Sequence, residues 1–144
     1  AFAIKTADCI PLIIWDESKE LLCGLHCGWK GLQQGIIGKI LEENNHQSLT
    51  KAYIGPHICK DYFEVRQDLI DEFMQSGNDI RPYLAQRSNK IFMNLRQLCV
   101  DELHEYGIEI YTKYSPCSYT ENDHFFSWRR DPGNPLRNLT IAWL

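Results

Sequence analysis

Residues 9–31 read Cys9-Ile10-Pro11-Leu12-Ile13-Ile14-Trp15-Asp16-Glu17-Ser18-Lys19-Glu20-Leu21-Leu22-Cys23-Gly24-Leu25-His26-Cys27-Gly28-Trp29-Lys30-Gly31, and the architecture follows from them. Cys9–Trp15 is an apolar run rich in β-branched and aromatic residues, of strand length. It stops at the polar turn Asp16-Glu17-Ser18-Lys19, and Leu21–Cys27 follows as a second strand, so the pair reads as a hairpin. Successive strand side chains alternate between faces. Leu21, Cys23, Leu25 and Cys27 therefore share one face, and Leu22, Gly24 and His26 share the other. Gly28-Trp29-Lys30-Gly31 breaks the strand. Beyond it Leu32, Ile36, Ile37, Ile40 and Leu41 recur at helical spacing, which predicts an amphipathic helix over 32–44, ended by Asn44-Asn45-His46.

The rest of the chain mixes strands and helices without strict βαβ order, so the class is α+β. Ala52–Ile54 is a short strand closed by Gly55-Pro56. Asp68 is placed to cap a helix running to about Met74, with Leu69, Ile70 and Phe73 inward. Residues 76–90 read as polar and irregular. Asn94 caps a further helix with Leu95, Leu98, Cys99, Leu103 and Tyr106 on its apolar face, and Gly107 stops it. Ile108–Tyr111 and Thr140–Leu144 read as strands. Between them, residues 115–138 form a long segment rich in Pro, Asn, Asp and aromatics, the kind of loop that often carries function.

The 144 residues fit one domain, and with 44% hydrophobic and 24% charged residues they have the balance of a globular chain. A formal net charge of −4 gives no electrostatic footprint for nucleic acid. No apolar run reaches the roughly 18 residues of a membrane span, and no secretory leader is visible. Six cysteines in 144 residues are far fewer than a disulfide scaffold carries, and no C-x-x-C pair exists. We therefore expect free thiols and a cytoplasmic setting. The chain opens Ala1-Phe2-Ala3, without Met and inside a strand, so we expect it to lack an N-terminal segment.

Three constellations carry possible chemistry. The first joins Thr6-Ala7-Asp8-Cys9 to His26: with His26 on the face away from Cys23 and Cys27, the thiol available to it is Cys9. Such a pair acts as nucleophile and base, or as two ligands of the kind zinc and copper prefer, or it is a buried thiol beside a structural histidine. The second is the Gly28–Gly31 turn, where Lys30 and the close backbone approach at Gly31 suit an anion such as phosphate. The third is Phe125-Phe126-Ser127-Trp128-Arg129-Arg130-Asp131, preceded by Cys117-Ser118-Tyr119. Aromatics stack planar ligands and arginines fork onto phosphate or carboxylate, while a half-buried strand with a solvated Arg pair bonded to Asp131 is the plainer alternative. His46, His57, His104 and His124 read as surface residues, and of these only His57, after Gly55-Pro56, is kept as a site candidate.

Taken in order, Thr6-Ala7-Asp8-Cys9, His26-Cys27-Gly28-Trp29-Lys30-Gly31, Gly55-Pro56-His57-Ile58, Tyr62-Phe63-Glu64-Val65, Cys117-Ser118-Tyr119 and Phe125-Phe126-Ser127-Trp128-Arg129-Arg130-Asp131 resemble the laccase-domain proteins. These were first described as polyphenol oxidases and later as zinc-dependent purine nucleoside phosphorylases with adenosine deaminase side activity. Some bacterial members are called peptidoglycan editing factors. The resemblance implies an α/β sandwich with mixed β-sheets and outer helices, related to cysteine-hydrolase-like toxins. It also implies a metal, zinc or less readily copper, on Cys9, on His26 and on a further histidine in an upstream segment that this chain does not contain. Cys9 and His26 would then be the catalytic and metal residues. On physical grounds rather than from the resemblance, Lys30 and Gly31 in the Gly28–Gly31 turn would hold phosphate, and Arg129, or an aromatic such as Trp128, would line the base or the opposite wall. The substrates would be a purine nucleoside and phosphate. The chain departs from the family pattern at Lys30, where arginine is usual, at Asn94, where aspartate is usual, and after Asp131, where the family's Thr-Gly-Arg appears as Pro132-Gly133-Asn134-Pro135-Leu136-Arg137. Three rival readings remain: a cysteine-dependent amidase acting on peptidoglycan precursors, a phenol oxidase, and a binding domain or inactive fragment. The oxidase is disfavoured because a multicopper cluster needs paired His-rich and Cys-rich motifs that the sequence lacks.

Overall fold

The computed structural model describes residues 1–18, 20–43 and 48–144. In chain order its elements are β1 (Phe2–Thr6), β2 (Ile10–Asp16), β3 (Leu22–Cys27), α1 (Trp29–Gln33), α2 (Ile36–Glu43), β4 (Leu49–Ile54), β5 (Glu64–Val65), α3 (Gln67–Gln75), β6 (Leu84–Arg87), β7 (Lys90–Met93), α4 (Leu95–Glu105), β8 (Glu109–Ile110) and β9 (Asn138–Ala142). A 3-10 turn at Arg81–Tyr83 precedes β6. The class is the α+β expected. Among the described residues no helix is long and apolar enough to cross a membrane.

The expected hairpin is present. β2 and β3 pair antiparallel, from Ile10 opposite Cys27 to Trp15 opposite Leu22. Its turn is held by Asp16, whose carboxylate accepts the Leu21 N–H at 3.0 Å and the Ser18 hydroxyl. Lys19, the last residue of the expected polar turn, lies outside the described residues. β2 is central: β4 lies antiparallel on its other side and β8 runs parallel to β4, giving the order β3-β2-β4-β8. That position explains the unbroken apolar run of β2. On one side Ile10, Leu12, Ile14, Leu25, Ala52 and Ile54 pack into a core with Leu32, Ile37, Phe73, Cys99 and Leu103 from the helices. On the other side sit β1 and β9, paired antiparallel as a two-stranded sheet. β1 comes so close at Gly24 that a Cβ there would overlap the Phe2 ring, so glycine is required on that face.

Several local expectations are corrected. The single helix over 32–44 is two helices, broken at Gln34-Gly35, where Gly35 takes φ +67°. Leu32 and Ile37 both stay buried, so the apolar spacing survives the break. The expected ending at Asn44-Asn45-His46 lies outside the described residues. Asp68 is not a cap. Arg66 occupies the N-cap of α3 without a side-chain bond, and Asp68 sits in the first turn, accepting the N–H of Leu69 at 2.8 Å. Residues 76–90 are not irregular throughout, because β6 and β7 form a hairpin there, with Ser88 and Asn89 at φ 47° and 61°. Two consecutive left-handed residues make the primed turn that matches strand twist. β5 pairs with the far edge of β7, completing a three-stranded sheet. Asn94 does cap α4, accepting the Gln97 N–H at 3.1 Å, and Gly107 follows the helix at φ +71°. Tyr106 does not join the apolar face of α4: it is exposed, and its hydroxyl donates to Glu42 Oε1 at 2.6 Å. No strand forms over 125–131; that stretch is turns and loop.

Candidate active site

Three residues, Ala7-Asp8-Cys9, carry the chain from β1 to β2. Asp8 adopts φ +91°, a conformation non-glycine residues rarely take, so other contacts must hold it there. Its Oδ1 accepts the Ser118 hydroxyl at 2.7 Å and its Oδ2 accepts the Arg129 N–H at 2.7 Å. Its carbonyl accepts the Ile58 N–H at 3.0 Å. One aspartate thus ties the β1–β2 crossover to the loop after β4 and to two points of the long segment before β9.

Cys9 follows directly. It lies one residue ahead of the Ile10–Cys27 pair, so it stands against Gly28, where a Cβ would lie 3.0 Å from the Cys9 Sγ. Glycine at 28 leaves room for the sulfur. His26 is on the exposed side of β3, as the alternation predicted, while Leu25 and Cys27 are buried. Cys9 and His26 both line a cavity of about 350 Å³, together with Thr6, Asp8, Trp29, Phe63, Trp128 and Arg129. The sequence-level pairing of Cys9 with His26 therefore corresponds to one shared cleft. Among the described residues no hydrogen bond joins the thiol to the imidazole. Burial, and then the charge of Asp8, push the Cys9 thiol up, so it is neutral near pH 7.

The two adjacent arginines have separate tasks. Arg130 is committed to structure: its guanidinium donates to the carbonyls of Ser118, Tyr119 and Phe125 at 2.9–3.0 Å and pairs with Asp131 at 2.9 Å. Arg129 faces the cleft. It gives one N–H to the Glu64 carbonyl at 2.7 Å and lies 5.5 Å over the Phe63 ring. It also lines a neighbouring cavity of about 460 Å³, shared with Trp29, Glu64, Arg66 and Glu72. Trp29 and Arg129 line both, so the two spaces are neighbours across these side chains.

Lys30 and Gly31 sit in α1, outside the residues lining either space. Lys30 is exposed, with its ammonium 5.2 Å over the ring of Trp29. Gly31 lies behind His26, where a Cβ would be 3.6 Å from the His26 carbonyl. α1 has five residues, too few to build a helix-end anion site, and the positive charge lining the cleft itself comes from Lys5, Arg129 and Arg137. His57 is not a surface residue. It is buried at 3% exposure, its Nδ1–H donates to the Gly55 carbonyl at 2.8 Å, and it does not line the cleft. His104 and His124 are exposed, as read, and His46 lies outside the described residues. Arg137, from the segment that departs from the family pattern, lines the cleft, and so do Lys5 and Phe63, which the sequence did not single out although Phe63 lay inside a quoted motif.

Burial holds the His57 ring below its ordinary value of 6.5, partly offset by its bond to Gly55. The folded state thus keeps it neutral while the unfolded chain takes up a proton. Its contribution is complete above pH 6.5 and is lost as pH falls. Urea unfolding across pH 7 to 5 should show stability dropping by up to about 1.4 kcal/mol per pH unit. His57→Asn retains an N–H at the Nδ1 position and should flatten that slope. An unchanged slope would assign it to other groups.

The donor set for a metal is partial. Among the described residues no cluster of three His, Cys, Asp or Glu side chains converges. Cys9 and His26 place a sulfur and an imidazole nitrogen on one cleft, both of donor types that zinc and copper take. Both carboxylate oxygens of Asp8 are already engaged. Beside them the buried Thr6 hydroxyl has no hydrogen-bond partner among the described residues. Two donors fit; a closed site needs more.

A family model described as multi-copper polyphenol oxidoreductase laccase matches residues 1–144. The chain is 30% identical over 144 residues to the purine nucleoside phosphorylase YfiH of Escherichia coli K12, covering 99% of this chain and 58% of that protein. It is 28% identical to adenosine deaminase RL5 from an unknown prokaryotic organism, covering 95% of this chain and 55% of that one. Among solved structures it is similar to Neisseria meningitidis protein NMB0706, with TM-score 0.76, 31% identity, and coverage of 90% of this chain and 54% of that chain. The chain thus spans little more than half the length of the relatives it matches.

Proposed function

The chain belongs to the multi-copper polyphenol oxidoreductase laccase family, and on that premise we propose that it is the metal-site portion of a cytoplasmic, zinc-dependent purine nucleoside phosphorylase with adenosine deaminase side activity. The observation that carries this reading is the meeting of Cys9, His26, Arg129 and the rings of Trp29, Phe63 and Trp128 on one cleft. The naming of the Escherichia coli relative as a purine nucleoside phosphorylase, and of another as an adenosine deaminase, supports it. The likeness of the fold to cysteine-hydrolase-like toxins belongs to the same proposal.

Cys9 and His26 would hold zinc, with a further histidine supplied from an upstream segment of the longer protein. Copper would take the same donors. Bound there, zinc would supply Lewis acidity. The aromatic rings offer faces on which a purine stacks. Arg129 keeps guanidinium N–H groups beyond the one given to Glu64, and these suit a phosphate at the cleft mouth. Lys30, above the ring of Trp29, adds positive charge nearby, with Gly31 packing behind His26. Asp8 holds the Arg129 backbone and the Cys9 turn in one frame. A nucleophilic role for Cys9 is less well supported, because its thiol is pushed up and has no hydrogen bond from His26.

The test is phosphate-dependent release of hypoxanthine from inosine by the zinc-replete protein at the length of its relatives. Release that requires phosphate and stops on chelation is the expected result. Absence of release from protein with zinc bound would overturn the phosphorylase reading and favour the amidase.

A further inference from the structure

Cys59 and Cys117 form a second sulfur centre outside the cleft. Cys59 lies in the loop between β4 and β5, and Cys117 in the long segment before β9. The Cys59 backbone N–H donates to Cys117 Sγ at 3.2 Å, which sets the two cysteines against each other. The two loops are already held in register. His57 and Cys117 form a parallel bridge, with the His57 N–H on the Pro116 carbonyl at 3.2 Å and the Ser118 N–H on the His57 carbonyl at 2.9 Å. The rings of Tyr62 and Tyr119 stack across the same seam, with centroids 4.4 Å apart.

A second neighbouring thiol pair provides the contrast. Cys99 pushes the Cys27 thiol up, but both are at 0% exposure in the core. Cys59 is only half-buried, and Cys117 retains 8% exposure. We propose that Cys59 and Cys117 are a redox-active dithiol that a hydroperoxide converts to an intramolecular disulfide. With the Cys59 N–H already on Cys117 Sγ, rotation of the two side chains brings the sulfurs toward the roughly 2.05 Å of an S–S bond.

The roles of the two sulfurs differ. Burial pushes the Cys117 thiol up, but hydrogen bonds from Cys59 and Thr120 outweigh it and leave Cys117 below its ordinary value. Burial, and then the bond to Cys117, push Cys59 up to about 11. Cys117 is therefore the more readily ionised of the two sulfurs, and the one that attacks. Its sulfur forms a bond to one peroxide oxygen, the O–O bond breaks, and the departing hydroxide takes up the proton that Cys117 released, leaving as water. Cys59 then attacks the sulfenic sulfur: the S–S bond forms, the S–O bond breaks, and the second hydroxide leaves with the Cys59 proton as a second water. Two thiols and one peroxide become one disulfide and two waters.

The site is coupled to the cleft through its neighbours. Ser118, next to Cys117, and Ile58, next to Cys59, both donate hydrogen bonds to Asp8. A disulfide here would fasten both of those donors.

The test treats the reduced protein with hydrogen peroxide, blocks the remaining thiols, and maps the peptides by mass spectrometry. The expected result is loss of two of the six thiols, a mass lower by two hydrogens, a peptide linking Cys59 to Cys117, and recovery with dithiothreitol. Cys59→Ser should abolish the link and leave a sulfenic acid on Cys117 that dimedone traps. Cys117→Ser should slow peroxide oxidation of Cys59 by ~10-fold or more, because the thiolate is the reactive form. The wild-type measurement stands whether or not either variant folds. A disulfide to another cysteine or between copies, or equal loss of all accessible thiols, would overturn the proposal.

Discussion

If Cys9 holds zinc as proposed, Cys9→Ser is expected to abolish tight zinc binding in protein at the length of its relatives and to lower phosphorolysis by roughly 100-fold or more, since loss of a ligand exceeds the 10–100-fold cost of losing an outer partner. A serine hydroxyl stays protonated near neutral pH and cannot replace a thiolate. The exchange is small in volume and lies beside Gly28 rather than in the core, so stability should change by less than about 1 kcal/mol. Zinc stoichiometry, read with a chromophoric chelator, separates the two roles that the Cys9–His26 pair could play. Loss of zinc together with turnover marks a ligand. Full zinc occupancy with no turnover marks a nucleophile and transfers the argument to amide hydrolysis. Unchanged zinc and unchanged turnover would remove Cys9 from the site.

The largest effect on stability is expected at Asp8. Alanine there loses the carboxylate that accepts the Ser118 hydroxyl and the Arg129 N–H, while keeping a backbone at φ +91°. Hydrogen bonds to a charged acceptor contribute about 1.5–3 kcal/mol each, so a total of roughly 3–5 kcal/mol is expected for Asp8→Ala. Glycine loses the same bonds but relieves the left-handed strain, so Asp8→Gly should be milder by about 1 kcal/mol. Asparagine keeps one acceptor oxygen and tolerates the left-handed region, so Asp8→Asn should be mildest. Urea unfolding of the three variants checks the order. If alanine and glycine were equal, the strain at Asp8 would be negligible. If all three matched wild type, the tie between the crossover and the long segment would carry no energy.

What could be read from the sequence was local. The turn Asp16–Lys19 between two strand-length runs specified the hairpin, and period-two alternation placed His26 opposite in face to Cys27. The Asn94 cap and the Gly107 stop were legible because each acts within three or four residues. The same local logic failed where an element depended on a partner. β6 and β7 carry Ser88-Asn89 at their tip rather than a glycine turn, and β7 is further supported by β5, a strand about 27 residues upstream in the chain. The helix over 32–44 kept its apolar spacing through a break, so periodicity alone did not reveal it.

The candidate site divides along the same line. The ordered motifs carried the family resemblance and named Cys9, His26 and Arg129, since residue type and order are written in the chain. The anchoring of Arg130 on three carbonyls, the burial of His57, the placement of Lys30 outside the lining and the approach of Cys59 to Cys117 were decided by the tertiary structure. Each depends on a closure between distant segments: Asp8 meets Ser118 and Arg129 across separations of 110 and 121 residues. Periodicity and capping report forces that act within a turn or a strand, whereas the direction of a loop side chain is set by whichever remote backbone group accepts or donates its hydrogen bond.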